Sequence, residues 1–275
     1  MAHRPENQAP PEIFYNEQEA AKYTQNSRII GIQTDMSERA LELLALPEGP
    51  HMLLDIGCGS GLSGEVISDQ GHFWIGMDIS QAMLNVAIER EVSGDLTLCD
   101  MGEGVPFRAG SFDGAISISA LQWLCNVDKA YHRPIKRLSQ FFSSLYAALA
   151  RGSRAVFQFY PDSGDQVDLI TQQAMKAGFT GGLVIDYPNS SKAKKIFLVL
   201  FTGGPQKLPA ALGTEQDGAC QAQFTKREKN MKRGGKSLKS KLEWIKEKKE
   251  RRRKQGKDAR PDTKYTGRRR AGHGF

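Results

Sequence analysis

The residues best suited to chemistry form a short glycine and aspartate pattern. In Leu53-Leu54-Asp55-Ile56-Gly57-Cys58-Gly59-Ser60-Gly61 an apolar run passes into a glycine loop. Glycine tolerates positive φ and lets backbone approach a ligand closely, and a helix opening beyond such a loop offers unpaired N–H groups to it. Gly59-x-Gly61-x-x-Gly64 meets the spacing of a dinucleotide loop, with Asp78 at the distance of a ribose-binding carboxylate. Taken alone, this pattern leaves the ligand open.

Charge narrows the choice. Asp55 stands two residues before the first glycine, where a carboxylate opposes a pyrophosphate by like-charge repulsion. S-adenosylmethionine brings a sulfonium and an ammonium instead, so an acidic loop rim favours that cationic ligand. Asp78, followed by Ile79, ends a second apolar run and can accept hydrogen bonds from both ribose hydroxyls. Asp100 ends a third, placed for an adenine amino group, with Met101 packing beside the ring. Acidic residues at consecutive strand ends form one constellation, because the carboxyl ends of neighbouring strands line the crevice of an open α/β sheet. The expected cofactor-binding set is Asp55, Gly57, Gly59, Gly61, Asp78, Ile79, Asp100 and Met101.

These positions need alternating strands and helices. Ile13 to Leu46 reads as helices, with Glu17 to Tyr23 one segment and Met36, Ala40, Leu43 and Leu44 the stripe of another, stopped by Pro47-Glu48-Gly49-Pro50. Strands are expected at Met52–Ile56, Phe73–Met77, Leu96–Leu98, Ala115–Ile118 and Ala155–Phe159. Helices are expected at Leu62–Ser68, Gln81–Glu89, Pro134–Leu149 and Val167–Lys176. Leu183–Tyr187 and Ile196–Phe201, joined through Pro188-Asn189-Ser190, form a hairpin that places one antiparallel strand in the sheet. The fold class is α/β: a Rossmann-like, seven-stranded, mostly parallel sheet with helices on both faces, plus a basic C-terminal tail.

The composition divides sharply. Residues 1–201 hold 16 basic and 23 acidic side chains, net −7, and residues 202–275 hold 22 and 8, net +14. Four domains follow: N-terminal helices and cofactor lid (1–50), core (51–201), a Gly-, Pro- and Gln-rich linker (202–225) and a basic tail (226–275). Within the tail, Leu238, Leu242 and Ile245 fall on one helical stripe with Trp244 beside it. No apolar run approaches the ~20 residues that span a bilayer, and residues 1–11 lack the apolar stretch of a secretory signal, so a soluble intracellular protein is expected. Cys58, Cys99, Cys125 and Cys220 lie far apart without a C-x-x-C, which fits reduced thiols and argues against a metal site.

Asp55 to Gly61, Asp78-Ile79-Ser80, Asp100-Met101 and Gly110-Ser111-Phe112-Asp113-Gly114 resemble the class I S-adenosylmethionine-dependent methyltransferases over residues 40 to 201. More narrowly, Asp78-Ile79-Ser80-x-Ala82-Met83-Leu84, Ser117 to Leu124, Asp186-Tyr187-Pro188-Asn189-Ser190 and Arg260 to Arg268 resemble the eukaryotic small-subunit ribosomal RNA (guanine-N7) methyltransferases, over nearly the whole chain. That resemblance implies methylation of rRNA during ribosome assembly, in the nucleus (nucleolus and nucleoplasm) with some cytoplasmic protein. It also implies a heterodimer with a small zinc-binding activator subunit, paired along the third strand as a sheet edge.

Guanine N7 carries a lone pair and no proton, so the reaction needs no general base and no catalytic residue is assigned. The scattered His3, His51, His72, His132 and His273 are expected to serve surface or packing roles. An unstacked base needs an aromatic or apolar platform. Trp123 and Tyr160 follow strand ends, Ser119 and Gln122 are placed for the base edge, and Phe14, Tyr15 and Tyr23 could close a lid. In the tail, Lys248 to Lys254 and Arg268-Arg269-Arg270, interleaved with Trp244 and Tyr265, suit phosphate contact and nuclear import. Two other readings remain: a non-enzymatic assembly factor on the same fold, and a small-molecule methyltransferase with an unrelated tail. A dehydrogenase is disfavoured by Asp55 and by the lack of a substrate domain.

Overall fold

The computed structural model describes residues 4–190, 193–204 and 206–213, together with 246, 249, 250, 253, 261 and 262. Two units are distinguished, residues 1–214 and 215–275. In the first, helices α1 (Pro11–Phe14), α2 (Glu17–Gln25) and α3 (Ser27–Leu44) precede the alternation of strands and helices. Strands β1 (Met52–Ile56), β2 (Phe73–Asp78), β3 (Asp95–Leu98), β4 (Phe112–Ile118), β5 (Leu149–Phe159), β6 (Thr180–Asp186) and β7 (Lys195–Phe201) form one sheet. Between them lie α4 (Leu62–Asp69), α5 (Gln81–Glu89), α6 (Pro134–Ala148) and α7 (Gly164–Lys176).

Local chemistry sets the helix starts. Asn16 and Asn26 cap α2 and α3 by accepting from backbone N–H groups two and three residues on, and Ser80 and Ser163 cap α5 and α7. Pro134 opens α6, where its missing N–H costs nothing.

The strand order is β3-β2-β1-β4-β5-β7-β6. β7 pairs antiparallel with both β5 and β6, and the other neighbours are parallel. The mostly parallel sheet with a single antiparallel strand matches the expectation. β4 and β5 begin earlier than the apolar runs suggested, because their outer ends are polar and glycine-containing, with exposed Arg151 and Gly152.

Both faces of the sheet are covered, which explains the near-continuous apolar strands. One core packs Leu54, Ile56, Phe157 and Leu198 against Leu138, Phe141, Phe142 and Leu145 of α6 and Ile170 and Ala174 of α7. The opposite core packs Leu53, Ile116, Val156 and Val199 against Met36, Ala40, Leu43 and Leu44 of α3 and Val66 and Ile67 of α4. Period-two alternation therefore assigns each strand residue to one core or the other.

Part of the stretch expected as a linker belongs to this body. The Leu212 N–H donates to Asp186 Oδ1 at 2.8 Å, the Tyr187 N–H to the Leu212 carbonyl at 2.8 Å, and Arg39 Nη2 to the Ala210 carbonyl at 2.9 Å. Buried Asp186 also receives Arg39 Nε at 2.9 Å. In the second unit, Lys246, Lys249, Glu250 and Arg253 are helical. Asp262 pairs with Lys249 at 3.2 Å and with Arg253 at 3.1 Å. Leu238, Leu242, Trp244, Ile245, Tyr265, Arg268, Arg269, Arg270 and Cys220 lie outside the described residues.

Candidate active site

The loops after β1 to β5 gather at the carboxyl end of the sheet, beneath the N-terminal helices. Gly57, Gly59 and Gly61 have φ of +72°, +53° and +78°. A Cβ on Gly57 would stand 2.4 Å from Ala120 Cβ, and one on Gly59 2.8 Å from Met83 Cε. Side chains there would close the cleft, as the glycine pattern implied.

The cleft encloses about 990 Å³ of empty space, part of it open to solvent. Its lining includes Gly57, Gly59, Asp78, Ile79, Asp100 and Met101, six of the eight residues expected to hold a cofactor. Asp78 is anchored at both oxygens: the Gly59 N–H donates to Oδ2 and the Ser80 N–H to Oδ1, each at 2.8 Å. Burial pushes its carboxyl up, and these backbone donors oppose the shift. Asp100 accepts at Oδ1 from the Gly102 N–H at 2.8 Å and from Arg137 Nη2 at 2.6 Å, so Oδ2 is the oxygen left for a ligand.

Two expectations are corrected. Asp55 is not on the loop rim. It is fully buried and does not line the cleft, and its Oδ2 accepts from Ser63 Oγ at 2.6 Å. The reason is strand alternation: Asp55 shares a face with Leu53, so it turns under α4. Gly61 does not line the cleft either. It starts α4 where a Cβ would stand 2.6 Å from Val92 Cγ1, so it serves the turn and its packing.

Other residues supply the acidic surroundings that a cationic ligand needs. Glu12, Asp78, Asp100 and Asp128 line the cleft, with Arg137 as its only Lys or Arg among the described residues. Composition gave no hint of Glu12 and Asp128. His132, expected to pack, also lines the cleft, 2.7 Å from Arg137 Nη1, and desolvation followed by that guanidinium lowers its pKa. Arg137 was legible in principle. It shares the inner stripe of α6 with Phe141 and Leu145, an odd place for a charge unless it has a partner. Gly102 makes room for it, since a Cβ there would stand 2.2 Å from Arg137 Nε.

A second cavity, about 860 Å³ with the space open to solvent included, shares Tyr15, Tyr23, Gln33, Ser119 and Trp123 with the first and adds Arg4, Glu6, Gln122 and Tyr160. Trp123, Tyr160, Ser119 and Gln122 are thus together here, and Trp123 and Ser119 face both cavities. Ser119 is held at φ +60°, strained for a residue with a side chain, by its N–H and Oγ donating to Gln158 at 2.8 Å each. Tyr15 and Tyr23 stand in the shared wall, while Phe14 lines neither cavity and packs at 6.2 Å on Trp123. Burial, then the Asp78 charge, pushes the Tyr15 hydroxyl up to about 12.

Asp55 gives a pH test. Burial raises its carboxyl to about 7 from 3.8, with Ser63 opposing. A folded pKa above the unfolded one means that the folded chain holds the extra proton, so this group's contribution to stability is present at low pH. It is lost as pH rises from about 4 to about 7. Thermal unfolding of the ligand-free protein should show that loss, and Asp55→Asn should flatten it. An unchanged slope would count against the buried, unpaired carboxylate.

The cleft residues fit S-adenosylmethionine: glycines that admit a close ligand, carboxylates at two adjacent strand ends and an acidic lining. A methyltransferase-domain family profile matches residues 54–157, and a second, described as a methyltransferase involved in Williams-Beuren syndrome, matches residues 200–272. The fold resembles a Haemonchus contortus phosphoethanolamine N-methyltransferase (TM-score 0.52, 19 % identity, 70 % of this chain and 58 % of that one). It also resembles an Aquifex aeolicus SAM-dependent methyltransferase (TM-score 0.50, 16 % identity, 68 % and 98 %). The mouse 18S rRNA (guanine-N(7))-methyltransferase is 60 % identical over 97 % of this chain and 96 % of its own. A probable Dictyostelium discoideum counterpart is 56 % identical over 97 % and 98 %, and the Saccharomyces cerevisiae 18S rRNA (guanine(1575)-N(7))-methyltransferase is 51 % identical over 97 % and 98 %. With such identity along almost the whole chain, glycine loop and tail alike, the protein belongs to the 18S rRNA (guanine-N7)-methyltransferase family.

Proposed function

We propose that this chain transfers a methyl group from S-adenosylmethionine to N7 of a guanine in small-subunit rRNA during ribosome biogenesis. The observation that carries the reading is the acidic cleft with Asp78 and Asp100 at adjacent strand ends, which shares Ser119 and Trp123 with a second cavity. S-adenosylmethionine supplies an activated methyl on a positively charged sulfur. Asp78 would hold the ribose and Asp100 the adenine amino group, while Gly57 and Gly59 admit the methionine end. Trp123, with Tyr160 and Ser119, would hold the unstacked guanine so that N7 faces the methyl. Positioning and electrostatics then do the work, since N7 has no proton to remove.

The N-terminal helices, to about residue 50, act as the lid, and residues 226–275 carry RNA phosphate contact and import to the nucleus and nucleolus, with some protein cytoplasmic. Mapping reduction-sensitive N7-methylguanosine in rRNA tests the function: one small-subunit position should lose its mark when the protein is absent, and a map that keeps every mark would refute it.

A small zinc-binding methyltransferase activator is the proposed partner. β3 pairs with β2 and ends the sheet, and Leu98 on it is 55 % exposed. Unpaired edges are templates for another strand. Expressed alone, the chain should aggregate, and co-expression with the activator should recover it. A well-behaved, fully active monomer would remove this partner.

A further inference from the structure

The second cavity is lined by a carboxylate, Glu6, and by the amide of Gln122. Gln122 is 5 % exposed and lines it. Its Nε2 donates to the Ser119 carbonyl at 2.8 Å, which fixes the amide and leaves Oε1 buried and without a partner among the described residues. Glu6 lines the same cavity with its side chain 10 % exposed. Its backbone is pinned by Asn126 Nδ2, which donates to the Glu6 carbonyl at 2.5 Å. Arg4 Nη1 stands 3.5 Å from Glu6 Oε1, but its shorter bonds go elsewhere, to the carbonyls of Tyr160 at 3.0 Å and, through Nη2, of Pro161 at 3.1 Å. The buried amide oxygen is costly without a donor, and the Glu6 carboxylate, whose ion-pair partner Arg4 is shared with two carbonyls, can accept further donors from a ligand in the cavity.

The RNA bases differ sharply here. Guanine alone offers two adjacent donors on one edge, N1–H and the 2-amino group. Adenine and cytosine set one donor beside an acceptor, and uracil sets one donor between two carbonyls. We propose that Glu6, supported by Gln122, selects the target base by accepting from the N1–H and 2-amino group of guanine. This rests on the guanine-N7 reading above.

The carboxylate has a second effect. The N7 lone pair forms the bond to the methyl carbon, the carbon–sulfur bond breaks with its electron pair going to sulfur, and no proton moves. Positive charge therefore leaves the sulfur and arrives on the purine. An acceptor carboxylate on the N1 edge is attracted more strongly as that charge arrives, so it lowers the barrier as well as choosing the base.

The test uses the full chain, wild type or variant, co-expressed with the proposed activator, and small-subunit rRNA with the target guanosine or inosine, which lacks the 2-amino group, introduced by splinted ligation. Wild-type protein should methylate guanosine about tenfold or more faster than inosine, the discrimination expected when a site's polar group is left unpaired. Glu6→Gln should slow transfer to guanosine about tenfold to a hundredfold and shrink the guanosine-to-inosine ratio toward one. Its S-adenosylmethionine affinity should match wild type. Equal wild-type rates on the two substrates would overturn the proposal without needing any variant, and so would Glu6→Gln with unchanged rate and ratio. Wild-type protein that leaves guanosine N7 unmethylated would instead overturn the reading of the function, and this inference with it.

Discussion

Asp78→Ala is expected to raise the dissociation constant for S-adenosylmethionine by about a hundredfold or more. The side chain has two tasks, and alanine ends both. It accepts the Gly59 and Ser80 N–H groups at 2.8 Å each, so it ties the glycine loop after β1 to the turn after β2. It also lines the cleft, where it would take the ribose hydroxyls. Hydrogen bonds to a charged acceptor contribute about 1.5–3 kcal/mol each, and losing two of them gives that factor. Asp78→Asn should fall between wild type and alanine, since an amide keeps one acceptor oxygen and offers an unwanted donor. Calorimetric titration, with circular dichroism as the check on folding, decides it. Unchanged affinity in a folded Asp78→Ala protein would remove Asp78 from the cofactor site.

Deleting residues 226–275 is expected to spare cofactor binding and abolish rRNA methylation in cells, together with nucleolar targeting. The residues proposed to hold the cofactor all fall before residue 102, in a unit that ends at residue 214. Residues 226–275 carry net +15, with 21 basic and 6 acidic side chains, against −8 for residues 1–225, so without them an acidic body must approach a polyanion. In vitro, the truncated protein should bind rRNA with a much shallower dependence on salt, because fewer phosphates release counterions. A truncated chain that methylates pre-ribosomes at full rate in cells would refute this role for the tail.

Which parts of this were legible follows from how local each signal is. Strand and helix order, the antiparallel β7 and six of the cleft residues came from period and loop chemistry, which are properties of neighbouring residues. Asp55 misled because the pattern D-x-G-x-G fixes its distance from the loop but not its face. Only the pairing of β1 with Gly76 and Ile116 on either side turns it under α4. Glu12, Asp128, His132 and Arg137 reach the cleft from α1, from the segment before α6 and from α6 itself, so no short window shows them together. Residues 206–213 read as linker because glycine, proline and glutamine dominate their surroundings. Their attachment is made by long-range bonds to Asp186, Tyr187 and Arg39. The strain at Ser119 likewise depends on Gln158, thirty-nine residues away.

The cleft is proposed to deliver a methyl group to N7 of guanine in small-subunit rRNA. The measurement that tests this is transfer from methyl-labelled S-adenosylmethionine to pre-ribosomal particles, using the full chain co-expressed with the proposed activator, followed by nuclease digestion and separation of the nucleosides. The label should appear in N7-methylguanosine from small-subunit rRNA, and Asp78→Ala should suppress it. Label in another nucleoside or in large-subunit rRNA, or no transfer with cofactor demonstrably bound, would contradict the account.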